Sequence, residues 1–198
     1  MAEEKRLVFT FGRFNPPTTG HKTLLDALKK VAGKDDYWIF PSHTQDKKKN
    51  PLDFKTKVKW MKEMYFTHKG NIWDQNPELK TAFKVCEHFQ GKYQHICMVV
   101  GSDRVEAFDK SLKAANGKTH TFRTITVTDA GLPARIKQEG KELDDYDIFD
   151  DTDSMSGSLM REFAENVKTT QFLLGTRGLL NTWDSLQLMQ DVRKGLNL

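Results

Sequence analysis

Cysteine is nearly missing from this chain: Cys86 and Cys97 are the only two among 198 residues, and they lack CxxC spacing. A disulfide framework and a thiolate zinc site are therefore excluded as organising features. No stretch approaches the roughly 18 consecutive apolar residues of a spanning helix, so no membrane partner is expected. The first residues, Met1-Ala2-Glu3-Glu4-Lys5-Arg6, run into a strand-like segment without the apolar core of a signal peptide. Together these absences lead us to expect a reducing cytoplasm. A Walker A pattern is missing as well, which leaves P-loop chemistry unsupported. His43, His68, His88, His95 and His120 are scattered without ligand spacing and are expected on the surface or satisfied in the core. Internal repeats, low-complexity segments and interdomain linkers are also lacking, so one domain spanning residues 1–198 is expected. At 37% hydrophobic and 29% charged residues, the composition is that of an ordinary globular chain.

What the sequence does contain is an alternation of strand and helix signals, the pattern of a parallel sheet with covering helices. Leu7–Phe11 and Tyr37–Phe40 read as strands, and His95–Val100 as a strand buried on both faces. Phe122–Val127 alternates as a further strand. Helical spacing follows the first strand at Leu24, Leu25, Leu28 and Val31. Asn50-Pro51 and Asn76-Pro77 each look like an N-cap with proline at the first helical position. A helix is expected through Val105, Phe108 and Leu112 to Gly117, and others over 158–167 and 183–194. Residues 129–153 read as a long polar connection, a lid or simply a tether.

The strongest local signal is Gly12-Arg13-Phe14-Asn15-Pro16-Pro17-Thr18-Thr19-Gly20-His21. A strand ends at a glycine, the chain turns through a rigid proline pair, and a helix begins near Gly20 and His21. Helix N-termini present unpaired N–H groups and a positive dipole end, which together attract phosphate. Ser154-Met155-Ser156-Gly157-Ser158-Leu159-Met160-Arg161 repeats that logic. Ser156, Gly157 and Ser158 can open a helix, and Arg161 lies about one turn in, within reach of the same anion. Gly101-Ser102-Asp103 closes the buried strand, where Asp103 reads either as a helix cap or as a nucleotide contact.

Charge is uneven. Lys47, Lys48, Lys49, Lys55, Lys57, Lys59 and Lys62 crowd one segment, and Glu142 to Asp153 form an acidic run. The basic run lacks the interleaved aromatics of a single-strand channel, so nucleic acid is not the expected partner. Trp38, Trp60, Trp73 and Trp183 are expected in the core.

The two end motifs resemble the HxGH signature and the ISSTxxR signature of the nucleotidyltransferase superfamily, with Thr18 where the first His usually stands. The cytidylyltransferases of that superfamily carry a different second motif. The chain looks closer to nicotinamide-mononucleotide and phosphopantetheine adenylyltransferases, including small bacterial or phage-encoded members. The resemblance implies an α/β fold, a Rossmann-like open parallel sheet with helices on both faces, with helices from about residue 158 completing the nucleotide site. It implies transfer of AMP from ATP, with Mg²⁺, to a small phosphorylated acceptor, and release of pyrophosphate. His21, Thr18 and Arg161 would then act on the reacting phosphates. Gly12, Arg13, Phe14, Asn15, Gly20, Gly101, Asp103, Ser156, Gly157 and Ser158 would bind ATP. A lysine of the basic run, Lys48 or Lys49 first, would reach the phosphates. Nicotinamide mononucleotide is the preferred acceptor and phosphopantetheine the alternative. A non-catalytic nucleotide-binding module is the reading from another class. Many relatives form dimers or hexamers, although no sequence feature here marks an interface.

Overall fold

A computed structural model of the chain describes residues 4–132 and 155–198. In chain order its elements are β1 (Arg6–Gly12), α1 (Thr19–Ala32), β2 (Asp36–Pro41), α2 (Phe54–Met64), α3 (Ala82–Phe89), β3 (His95–Val100), α4 (Val105–Ala115), β4 (Thr124–Asp129), α5 (Gly157–Glu165), α6 (Thr169–Leu174) and α7 (Thr182–Leu196). The described residues fall into two compact units, 4–12, 24–42 and 71–132 in one, and 13–23, 43–70 and 155–198 in the other.

The first unit is built on a four-stranded sheet of order β2-β1-β3-β4, with every pairing parallel. β1 and β3 are innermost, in register at Val8 and Cys97. The apolar runs Leu7–Phe9 and Ile96–Val100 match burial on both faces, and Leu7, Val8 and Phe9 are fully buried. On β4, Ile125 is buried between exposed Thr124 and Thr126, the alternation of a strand covered on one face. The chain moves from β1 to β2 on one side and returns to β3 on the other. Strand order thus reverses between β1 and β3, and such a reversal opens a crevice beyond their carboxyl ends, here at Gly12 and Val100. This is the Rossmann-like α/β arrangement that the alternating signals predict.

Its core joins Leu7, Phe9, Phe40, Met98 and Val100 of the sheet to Val85, Cys86 and Phe89 of α3 and Leu112 of α4. Phe40, Trp73 and Phe89 form a ring cluster with centroids 5.4 to 6.0 Å apart. Each such pair adds about 0.5–1.5 kcal/mol beyond its buried area. Both cysteines are free and buried.

The second unit is helical. Met160 and Phe163 of α5, Phe172 and Leu174 of α6, and Leu188, Met189 and Val192 of α7 are buried together as its apolar interior. Two glycines permit close approach: a Cβ on Gly175 would collide with the Met160 sulfur, and one on Gly195 with the Pro51 carbonyl. Trp60 on α2 donates its indole N–H to Asp191 on α7 at 2.8 Å.

Several boundaries differ from the sequence reading. α2 begins not at Asn50-Pro51 but behind Asp53, whose carboxylate accepts the Thr56 N–H at 2.9 Å. Leu52 cannot join the helix, because the Asn15 side chain takes both its N–H and its C=O. Likewise α3 starts behind Thr81, while Asn76 only turns the chain by accepting the Glu78 N–H. β4 runs two residues later than Phe122–Val127. α6 was not predicted, being too short for its periodicity to register. Trp183 is 75% exposed and not in the core. It stands in the first turn of α7, where the Asn181 cap fixes the helix start without needing apolar contact. The acidic run and residues 133–153 of the expected connection lie outside the described residues.

Candidate nucleotide site

The first motif begins at the end of β1, where the Gly12 carbonyl accepts the Ser42 N–H at 2.7 Å within the first unit. Residues 13–21 belong to the second unit, and there the motif is held by its own polar groups. Phe14 is buried at a φ of 45°, a left-handed backbone uncommon for a large side chain, and its ring meets that of His21 at 5.0 Å. Asn15 is buried and clamps Leu52 with two reciprocal bonds of 2.9 and 3.0 Å. Thr18 is fully buried. Tyr65, also buried, accepts the Thr18 N–H at 2.8 Å and donates to the Thr18 carbonyl at 2.9 Å. Burial raises the Tyr65 pKa far above the ordinary phenol value, so it stays a donor.

Thr18 also caps α1. Its hydroxyl accepts the His21 amide at 3.2 Å, the N3 bond that Ser and Thr caps make. The same oxygen donates to the Met155 carbonyl at 2.7 Å and lies 2.9 Å from His21 Nδ1. At the helix start, the Thr19 amide is taken by the Gly175 carbonyl at 2.8 Å.

The second motif starts at the buried Met155. Ser156 is the N-cap of α5, with its hydroxyl accepting the Leu159 N–H at 3.2 Å, as the Ser-rich opening predicts. Gly157 allows the motifs to touch, since a Cβ there would stand 3.3 Å from both the Asn15 and the Pro16 carbonyl oxygens. Arg161 donates to the Asn15 carbonyl at 2.6 Å and to the Ser158 hydroxyl at 3.0 Å. Burial chiefly, and then the nearby Arg13 cation, lowers the Arg161 pKa, while Asp46 opposes.

The lysine run forms a tight turn around Asp46. Its carboxylate accepts the amides of Lys49 at 2.6 Å and Lys48 at 2.9 Å, and the Asn50 side chain at 2.5 Å. Those bonds hold the Asp46 carboxyl well below the usual range. The side chains of Lys48 and Lys49 are exposed. Lys57, by contrast, is fully buried, and desolvation pushes its amine down to about 8. The sequence reading takes no account of Asp46 and counts Lys57 only as one of the crowded lysines. Lys57 could have been found from its register, since 57, 60, 61 and 64 form the buried stripe of α2.

The structure thus brings Arg13, Phe14, Asn15, Thr18, Gly20, His21, Met155, Ser156, Gly157, Ser158 and Arg161 into one unit. Gly12, Gly101 and Asp103 stand in the first unit, at the carboxyl ends of β1 and β3. There Asp103 is exposed and lies 3.8 Å from Arg104, and the short 3-10 turn after β3 is capped by Gly101. Among the described residues, no group of three or more His, Cys, Asp or Glu could hold a metal ion. No helix among them is long and apolar enough to cross a membrane.

Residues 9–163, well over half of the chain, match the family model described as cytidylyltransferase-like. The chain belongs to that family. The resemblance to the nucleotidyltransferase superfamily is borne out by this match. The cytidylyltransferase-like chain is also similar to three probable nicotinate-nucleotide adenylyltransferases. That of Thermosipho melanesiensis is 26% identical over 114 residues, covering 56% of this chain and 58% of the relative. That of Sulfurimonas denitrificans is 30% identical over 100 residues, covering 48% and 54%. That of Fervidobacterium nodosum is 28% identical over 111 residues, covering 52% and 51%. The chain therefore spans about half the length of the curated relatives it matches. A solved structure of Plasmodium falciparum nicotinic acid mononucleotide adenylyltransferase complexed with NaAD aligns with 98% of this chain and 97% of its own. Its TM-score is 0.48 and its identity 16%.

Proposed function

We propose that this cytidylyltransferase-like chain is an adenylyltransferase, moving AMP from ATP onto the phosphate of a pyridine mononucleotide. A phosphate oxygen of the acceptor attacks the α-phosphorus, the bond to the β-phosphate oxygen breaks, and pyrophosphate leaves. The acceptor phosphate is already ionised, so the demand on the protein is alignment and charge stabilisation, not a strong base. One observation carries the reading: two phosphate-type helix starts are bolted together within one unit, by Thr18 to the Met155 carbonyl and by Arg161 to the Asn15 carbonyl.

In this reading the Gly20 amide, the Ser158 hydroxyl and the imidazole of His21 face the triphosphate. Arg161 and Arg13 offset the charge of the departing pyrophosphate, with Lys48 or Lys49 as a mobile further cation. Gly12, Gly101 and Asp103 of the first unit are proposed nucleotide contacts. Mg²⁺ enters as part of the ATP substrate; such an ion keeps several waters and takes its other ligands mainly from phosphate, so a dedicated carboxylate cage is not required. The names of the three bacterial relatives support nicotinate mononucleotide as the acceptor, beside the nicotinamide mononucleotide that the motifs suggest.

Pyrophosphate release from MgATP, measured with nicotinate mononucleotide, nicotinamide mononucleotide and phosphopantetheine in turn, tests the proposal. Turnover with a pyridine mononucleotide is expected. Turnover with phosphopantetheine alone would reassign the acceptor. ATP binding without turnover on any of them would make the chain a non-catalytic nucleotide-binding module.

A further inference from the structure

Proton counting around Thr18 has a consequence for His21. A carbonyl oxygen only accepts, so the 2.7 Å contact between Thr18 Oγ1 and the Met155 oxygen must contain the hydroxyl proton. That proton is then unavailable to any other acceptor. Two nitrogens remain around the same oxygen, the His21 amide at 3.2 Å and the His21 Nδ1 at 2.9 Å. Both must donate, because the hydroxyl has only lone pairs left. The amide does so by its nature. The ring nitrogen can do so only if Nδ1 carries a hydrogen.

We infer that the Met155 carbonyl, acting through the Thr18 hydroxyl, locks His21 in the Nδ1–H tautomer, and that Thr18 is the positioning residue for this imidazole. The second phosphate motif thereby sets the protonation pattern of the first, across 137 positions of sequence. In the neutral ring the lone pair then sits on Nε2. Phosphate oxygens only accept, so Nε2 serves a phosphate as a donor when the ring is the imidazolium, with both nitrogens protonated. The Phe14 ring packs against the imidazole with centroids 5.0 Å apart at a tilt of 53°. All of these groups lie in the second unit. The kinetic consequence rests on the proposed adenylyl transfer, but the tautomer does not.

The experiment is a long-range ¹H–¹⁵N spectrum of the His21 ring in the full chain, at a pH where the ring has lost its second proton. It is run on the wild type, Thr18→Ser and Thr18→Val. Wild type and Thr18→Ser are expected to show Nδ1 protonated and Nε2 bare, with Thr18→Val losing that preference. A wild-type ring protonated at Nε2, or a Thr18→Val ring that keeps Nδ1–H, overturns the inference. In pyrophosphate-release assays Thr18→Val should lower kcat roughly 10- to 100-fold, by analogy with the partners that orient metal-bound histidines, and Thr18→Ser should recover most of it. Equal kcat in all three proteins would refute the positioning role. If no acceptor turns over in the wild type, the function proposal fails, and the spectrum still decides the tautomer.

Discussion

Replacing Lys57 by Met isolates the energetic effect of a cation sealed inside the helical unit. The amine of Lys57 is held at about 8, against an ordinary value of 10.5, chiefly by desolvation, with Asp53 opposing. In the unfolded chain it regains its ordinary value. Between about pH 8 and pH 10.5 the unfolded state therefore binds more protons, and this group makes stability rise with pH across that window. The gap, 10.5 less 8, corresponds at 1.36 kcal/mol per unit to about 3 kcal/mol. Below pH 8 both states are charged and the folded state bears the whole penalty. Buried Tyr65, Tyr93 and Cys86 act in the opposite sense, because burial raises their pKa values and the unfolded chain loses those protons first. The informative quantity is accordingly the difference between variant and wild type, in which those groups cancel. Urea unfolding of both proteins at steps from pH 7 to pH 10.5 reads it. The advantage of Lys57→Met over wild type should shrink by up to about 1.4 kcal/mol per pH unit above pH 8. Contacts of the Lys57 side chain that do not depend on its charge move the offset between the two curves and leave the slope alone. A difference that stays flat over the whole range would refute the buried-cation reasoning.

Further outcomes follow from single contacts. Gly195→Ala lies in a helix, where alanine ordinarily gains about 1 kcal/mol over glycine. Here the added Cβ meets the Pro51 carbonyl, so a net loss of about 1–3 kcal/mol is expected in urea unfolding. Arg161→Lys cannot span the Asn15 carbonyl and the Ser158 hydroxyl as the guanidinium fork does. It should raise KM for ATP roughly tenfold, equivalent to about 1.4 kcal/mol, in pyrophosphate-release assays. His21→Ala should lower kcat by roughly two or more orders of magnitude with the fold intact by circular dichroism; an unchanged kcat removes His21 from the mechanism.

The sheet was the more legible part of the fold. His95–Val100 announces β3 because a strand buried on both faces needs an unbroken apolar run, and Tyr37–Phe40 announces the edge strand β2 by its short apolar run ending at Pro41. Helix starts were harder, since an Asn-Pro pair satisfies a turn as readily as a helix cap. Asn50 and Asn76 both turned the chain, and the caps fell to Asp53 and Thr81. Both sequence motifs are legible as local units, down to the Ser156 cap. Their joining was not, because the bonds from Thr18 to Met155 and from Arg161 to Asn15 link residues 137 and 146 positions apart. Nothing local in either motif states which of its polar groups will be used by the other.

That division of labour changes what the motif residues are for. The side chain of Asn15 is used up on Leu52, and the Thr18 hydroxyl on Met155 and His21. Ser156 is used up on its helix cap, and Gly157 serves by having no side chain at all. A buried polar group that bonds the protein is rigid, and one that must leave the protein to bind a ligand would incur the cost of its own desertion each cycle. Asn15, Thr18 and Ser156 therefore serve to fix the backbone. In the proposed reaction, charge recognition would fall to groups with protons to spare: the Arg161 guanidinium uses two of its five N–H bonds on Asn15 and Ser158 and keeps three. On this argument, substitutions of Asn15 or Thr18 should first disturb the orientation of His21 and Arg161, whereas substitutions of Arg161 should be felt directly in ATP affinity.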